Sequence, residues 1–384
     1  MAGLEPLQQG IDAVIDGALE AGRIVGAVVL VRENGVATYA RAAGQADREA
    51  GIPTVINTVF RMASLTKPIT AAAALALIEQ GRLGLDDPAA RYLSGFRPRL
   101  TDGTVPQIRV RHLLTHTAGF GYPSLSAGDP YRAAKVSTGG DQPGLSLQEN
   151  LQRIASVPLY FAPGSAWRYG VATDVLGAVV AAVHGGPLAD AVREYVTGPL
   201  GMADTAFTVR EPARLAVPYA DGAPRALRMA EPQTIGELTF SPARAFDDRS
   251  FQSGGGGMVG TAGDFMAFLE VVRTGGTPIL ERGTVAMAST NQVADMRDAE
   301  SPGWGFGFLS AVLLDPGASQ SPQSAGTLSW GGLWGNSWFV DPSAGISVVA
   351  LTNTALEGCI GAFPDQVRDA VYAARRAPPV PASP

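Results

Sequence analysis

The stretch Ile69 to Gln80 is apolar almost all the way round. A surface helix carries one apolar stripe, whereas a helix apolar on every side must be covered on every side, so this segment predicts a helix buried between layers. Strand-like text lies at both ends of the chain. Leu4 to Arg23 reads as an amphipathic opening helix, followed by strands over Ile24 to Arg32 and Gly35 to Ala43. Asn34-Gly35 between them is a strong hairpin signal. Late in the chain, Trp304 to Leu314, Gly326 to Trp330, Ser337 to Asp341 and Ile346 to Thr352 read as short strands, and Phe363 to Arg375 as a closing helix. Turn signals such as Asp341-Pro342-Ser343-Ala344-Gly345 separate the strands.

From about residue 86 to 184 the text is mostly helical. Arg111 to Leu114, Ser146 to Ser156 and Val171 to Val183 are the candidates, interrupted by the Gly/Pro/Ser-rich stretch Ala118 to Gly144. Pro212 to Gly256 is irregular. The expected fold is α/β of the α+β type: an antiparallel sheet flanked by helices, with an inserted, mainly helical region. Residues 1–84 and 236–376 would form the split sheet domain and 85–235 the helical one, with a Pro-rich disordered tail over 377–384.

The chain has 384 residues and a net charge of −6, with no basic cluster, which argues against nucleic acid or an anionic membrane as partner. Cys359 is the only cysteine, so neither an intrachain disulfide nor a cysteine-based zinc site is expected. Met1 to Gly10 shows no basic start followed by an apolar run, and the longest apolar runs are too short to span a bilayer. A soluble, cytoplasmic protein is expected. His112, His116 and His184 are too scattered for a metal cluster, so no metal is expected, while a single histidine base stays open.

Only two of the 29 basic residues are lysines, and Lys67 follows Ser64 by three positions. Arginine keeps its proton, whereas a desolvated lysine can lose it and act as a base. Residues three apart share a helical face, and a helix N-terminus favours negative charge, supporting an oxyanion and disfavouring a protonated lysine. The expectation is a nucleophilic Ser64 at the start of the buried helix beside a partly neutral Lys67. Pro68 is awkward there, because it biases Lys67 away from helical geometry. A capping serine followed by a solvated lysine would read the same.

Tyr169 lies at a loop-to-helix junction in Ser165-Ala166-Trp167-Arg168-Tyr169-Gly170, where a phenol could serve as general base or proton relay, or merely anchor a turn. In Ser329-Trp330-Gly331-Gly332-Leu333-Trp334-Gly335 a strand runs into glycines. Glycines let a ligand approach the backbone, so the amides beyond them could form half of an oxyanion hole, or the glycines could mark a plain bulge.

Ser64-x-x-Lys67, a loop tyrosine and a Gly-Gly strand edge, in this order, resemble the serine hydrolases related to class C β-lactamases and penicillin-binding proteins. More closely, the chain is similar to the family VIII carboxylesterases of bacteria. Phe60 to Pro68, Arg111 to Gly119, Pro199-Leu200-Gly201-Met202, Gly254 to Val259 and Trp338 to Pro342 support the resemblance, which spans nearly the whole chain. Two departures matter. The Tyr-x-Asn of the related β-lactamases ends here in Val171, and their Lys-Thr-Gly is replaced by Trp330-Gly331-Gly332. Both changes remove polar groups that would hold a β-lactam and favour a neutral ester.

The resemblance implies a serine esterase with no metal or organic cofactor, acting on small esters with short acyl chains through an acyl-enzyme on Ser64. Lys67 and Tyr169 would handle the proton, and the backbone N–H groups of Ser64 and Leu333 would hold the oxyanion. Trp330, Gly331, Gly332, Tyr122 and Trp334 would contact substrate, with Phe120 and Trp167 as further aromatics for the cleft or for the core. A β-lactamase or D-amino-acid peptidase, an acyltransferase and a silent binding module are the alternatives. Oligomeric state is open.

Overall fold

The Asn34-Gly35 hairpin organises the whole molecule. Both residues are left-handed, with φ of 50° and 84°. That pair of angles makes the tight primed turn whose twist matches a β-hairpin. The computed structural model describes residues 4–294, 296 and 301–376; the tail expectation over 377–384 lies outside them.

The principal sheet has eight strands, numbered here in chain order: β1 Gly26–Glu33, β2 Val36–Asp47, β3 Ile52–Pro53, β4 Trp304–Phe306, β5 Ala311–Leu313, β6 Leu328–Gly332, β7 Asn336–Asp341 and β8 Ile346–Thr352. Their spatial order is β4-β5-β6-β7-β8-β1-β2-β3, antiparallel throughout. The two ends of the chain meet at the centre, where β1 pairs β8 with Val29 opposite Ala350. The fold expected from sequence is thus the fold observed. One strand expectation needs correcting: Trp304 to Leu314 is not one strand but two. The chain turns back at Gly307, where a Cβ would strike the Ala288 carbonyl.

Strand residues alternate between the two faces, and each face has its own core. On one face Val29, Val31 and Val348 pack under helices α1 (Leu4–Glu20) and α5 (Ala362–Arg376). On the other, Val28, Trp338, Val349 and Leu351 join Phe265, Phe268 and Leu269 of helix α4 (Ala262–Thr274). The same core takes in α2 (Thr66–Glu79), buried from Thr66 to Leu77, and α3 (Ala172–His184), which packs against it. A fully buried Leu or Ile contributes about 1.5–3 kcal/mol, so a helix apolar on all sides is stable only in such a sandwich. No single helix among the described residues is long and apolar enough to cross a membrane.

Candidate active site

Ser64 does not open the buried helix, as the sequence predicted. It sits one turn earlier, in the 3-10 segment Ala63–Leu65 that leads into α2. Pro68 then falls at the third position of α2, where a missing N–H leaves no bond broken. Ala63 is held at φ 46°, a left-handed conformation that disfavours a non-glycine residue by about 1–2 kcal/mol. Three contacts hold this turn: Met62 N–H donates to the Met258 carbonyl (2.8 Å), Asn336 Nδ2 to the Arg61 carbonyl (2.7 Å), and Met258 N–H to Thr66 Oγ1 (3.1 Å).

Lys67 is buried, and its Nζ donates to Ser64 Oγ (3.1 Å), the Tyr122 hydroxyl (3.0 Å) and the Gly255 carbonyl (2.6 Å). Burial works against its charge, but the oxygens of Tyr122 and Tyr169 outweigh that and hold the proton more firmly than in an ordinary lysine. Lys67 was expected to be partly neutral; here its Nζ has three oxygens within hydrogen-bond distance, one for each N–H of an ammonium. Tyr122 has its ring partly open and its hydroxyl enclosed. Burial pushes this phenol up, beyond what the Lys67 charge pulls back, so it stays protonated. It was expected to line the cleft for substrate; here it holds Lys67.

Tyr169 lies across the same ammonium, its ring centroid 4.7 Å from Lys67 Nζ. Its oxygen accepts the Trp330 indole N–H at 3.1 Å. An indole N–H only donates, so the Tyr169 oxygen is always the acceptor in this bond. Trp330 touches the machinery itself, beyond the substrate contact expected of it. His116 packs on Tyr169 with ring centroids 4.7 Å apart, and its burial and the nearby Lys67 charge keep it neutral far below its usual range. It shapes the wall, its ring also meeting Trp167 and Phe306. His112 accepts the Arg109 N–H (3.2 Å) at the start of the short helix Val110–Leu114.

Gly332 brings the edge of β6 against the nucleophile. A Cβ there would collide with the Met62 carbonyl and press on Ala63, so only glycine lets the strand lie this close to the turn that carries Ser64. Gly331 faces away, with its missing Cβ aimed 2.6 Å from Cys359 Sγ. Trp334 departs from expectation: it is buried against Phe240 and beneath Arg61, because β6 has turned and its side chain enters the core. Phe120 likewise is core, beside Phe96. Trp167 joins Phe306, 5.6 Å between centroids, and Phe306 stands 5.2 Å from Trp330. These rings bound a cavity of about 240 Å³ lined, among the described residues, by Trp167, Val293, Trp304, Phe306, Ala311 and Trp330. None of Ser64, Lys67, Tyr122 or Tyr169 is among its lining residues; it meets the site through Trp330. Sequence reading missed Gly255, Trp304 and Phe306. The glycine run 254–257 was the one signal that something approaches closely there.

A serine beside a buried lysine, two phenols and a glycine strand edge, on an antiparallel sheet flanked by helices, define a penicillin-binding-protein-like serine hydrolase fold. The chain belongs to the beta-lactamase family, which it matches over residues 11–362. It is 50% identical to Esterase EstB of Burkholderia gladioli over 372 residues, covering 94% of each chain. The solved structure of EstCE1, a hydrolase with promiscuous acyltransferase activity, is similar at 43% identity with a TM-score of 0.94, covering 97% of this chain and 100% of the other. Simvastatin synthase from Aspergillus terreus shares the fold at 22% identity, with a TM-score of 0.77 over 96% of this chain and 95% of that one.

Proposed function

We propose that the protein is a serine carboxylesterase acting on small, neutral esters with short acyl chains. The observation that carries this reading is the buried Lys67 Nζ, 3.1 Å from Ser64 Oγ, with both tyrosines around it. The Ser64 oxygen attacks the ester carbonyl while Tyr169 takes its proton. For this step Tyr169 enters as a phenolate beside the Lys67 ammonium and leaves as a phenol, while the ammonium stabilises the developing alkoxide. The N–H groups of Ser64 and Leu333 hold the oxyanion. Tyr169 returns the proton to the departing alcohol, leaving an acyl-enzyme that water then cleaves. Tyr169 serves as base, not Tyr122, because its oxygen accepts the Trp330 N–H and lies across Lys67, while burial keeps Tyr122 protonated.

The alcohol leaves on the Tyr169 side, towards the cavity bounded by Trp167, Phe306 and Trp330, which suits an apolar, planar group. Val171 and Trp330 offer no charge to a β-lactam carboxylate, so ester turnover should exceed nitrocefin turnover. The split into a sheet domain (1–84, 236–376) and a helical domain (85–235) is part of this proposal; the hairpin of Gln233–Ile235 and Leu238–Phe240 straddles its second boundary. So is a cytoplasmic setting, supported by the single thiol Cys359.

Ser64→Ala should reduce hydrolysis of p-nitrophenyl butyrate by at least about 1000-fold and abolish labelling by a fluorophosphonate, with the melting temperature kept. A variant as active as the wild type would overturn the mechanism. Acyl transfer is a second reading, favoured by the described activity of EstCE1 at 43% identity. Adding an alcohol acceptor and measuring ester product against free acid separates transfer from hydrolysis.

A further inference from the structure

Asp174 is a buried carboxylate that no step above uses. It lies in the first turn of α3, just beyond the loop that carries Tyr169. Its Oδ1 accepts the Ser253 hydroxyl at 2.5 Å and the Gly255 N–H at 3.2 Å. Ser253 Oγ in turn accepts the Gly256 N–H at 3.0 Å, and the Gly257 N–H closes the turn on the Ser253 carbonyl at 3.0 Å. This clamped turn points the Gly255 carbonyl at Lys67 Nζ and the Gly254 carbonyl at Thr70 Oγ1 (3.0 Å). It has to be made of glycine: a Cβ on Gly255 would lie 2.5 Å from Asp174 Oδ2, and one on Gly254 2.7 Å from the Thr173 carbonyl.

Asp174 Oδ2 is buried without a hydrogen-bond partner among the described residues. A buried carboxylate is retained against its desolvation only where other interactions compensate. Burial pushes the Asp174 carboxyl up, and the Ser253 hydroxyl, the Lys67 charge, the Gly255 N–H and the Arg244 charge pull it back; the charged and titratable groups that face it are Lys67 from α2, Tyr122 from the loop after Phe120, and Arg244 from the segment Pro242–Phe246. Arg244 already gives its N–H groups to the Gly139 and Phe251 carbonyls (2.6 and 2.7 Å) and also faces Asp141 and Asp247. Among the described residues, Lys67 has no carboxylate within ion-pair distance.

We propose that Asp174 is a positioning residue of the reaction: it clamps the Ser253–Gly257 turn that aims the Gly255 carbonyl at Lys67, and it supplies the negative charge that balances the buried Lys67 ammonium. The inference rests on the esterase reading above. It deepens that reading by making the charge of the Ser64–Lys67–Tyr169 centre depend on a side chain outside the reacting atoms.

Asp174→Asn keeps an oxygen acceptor for Ser253 and Gly255 but removes the charge. The expected result is a folded enzyme whose kcat on p-nitrophenyl butyrate falls about tenfold with KM nearly unchanged. Lys67 then loses its proton more readily, so the alkaline limb of the kcat/KM profile moves to lower pH by about one unit. A purely structural residue would lower the melting temperature and leave that limb in place, and an unshifted limb overturns the proposal. Ser253→Ala, the companion variant should Asp174→Asn fail to fold, releases the turn and keeps the carboxylate. It should lower kcat more than it raises KM without moving the limb, and a wild-type kcat overturns the clamp. Wild type and Ser64→Ala run in the same assay keep the two claims apart. A wild type no faster than Ser64→Ala defeats the esterase reading, whereas an active wild type with an unshifted Asp174→Asn profile defeats this inference alone.

Discussion

The two walls of the cleft are built on opposite principles. On one side, Ser64, Lys67, Tyr122, the Gly254–Gly257 turn and Asp174 form a hydrogen-bonded web in which Lys67 alone satisfies three acceptors. On the other, Trp167, His116, Phe306 and Trp330 meet ring against ring, with few polar atoms between them. Among the described residues, the Trp330 indole makes the direct hydrogen bond from the aromatic wall to Tyr169. The difference teaches where tolerance lies. A hydrogen-bonded web loses function when one atom is misplaced, whereas a stack of rings can be re-cut to new substrates at modest expense in rate.

The largest effect should come from the polar wall. Lys67→Met should lower kcat/KM about 1000-fold, and Lys67→Arg should recover at least part of that loss if the positive charge is what serves the alkoxide. Equal rates for the two variants would mean that an uncharged amine carries the proton, against the ammonium described here. Next in size is Gly332→Ala, whose new methyl would strike the Met62 carbonyl and push Leu333 away from Ser64. A loss of about 100-fold in kcat with little change in KM is expected, as for an oxyanion-hole donor.

Trp330→Phe tests the bridge between the walls. It keeps a ring but removes the N–H from Tyr169, so kcat should drop about tenfold. A rise in KM at constant kcat would instead make Trp330 a substrate contact only. The smallest effect concerns stability. His116 binds a proton less readily in the folded protein than in the unfolded chain, where its ordinary value is 6.5. Protons therefore favour unfolding, and stability should fall as the pH drops below about 6.5, by up to about 1.4 kcal/mol per pH unit. Urea midpoints at pH 7 and pH 5 should converge in His116→Gln relative to the wild type; parallel losses in both proteins would show that His116 is not the group responsible.

Much of this was legible in the sequence where the signal is local. Asn34-Gly35 announced its hairpin, the all-round apolar Ile69 to Gln80 its buried helix, and the spacing from Ser64 to Lys67 its shared face. What stayed hidden depends on contacts between distant segments. The Gly255 carbonyl is a backbone atom far along the chain from Lys67, and no side-chain pattern marks it. Asp174 reads as an ordinary residue in the first turn of a helix. Aromatic residues advertise burial without saying on which side, which is why Trp334 and Phe120 entered the core while Trp304 and Phe306 went unremarked at the cavity. The surroundings of Lys67 are of the same kind: burial is readable from the apolar run, but the phenol oxygens around the amine are not.

The central pairing of β1 with β8 carries a consequence for biosynthesis. Ser64 emerges from the ribosome long before the Gly332 strand edge and the strands that anchor that edge to the N-terminal hairpin. Nascent chains that stop before β8 would hold Ser64 and Lys67 without the strands that seat Gly332 against them, so the site should assemble all at once, when β8 joins β1, and not grow in step with length.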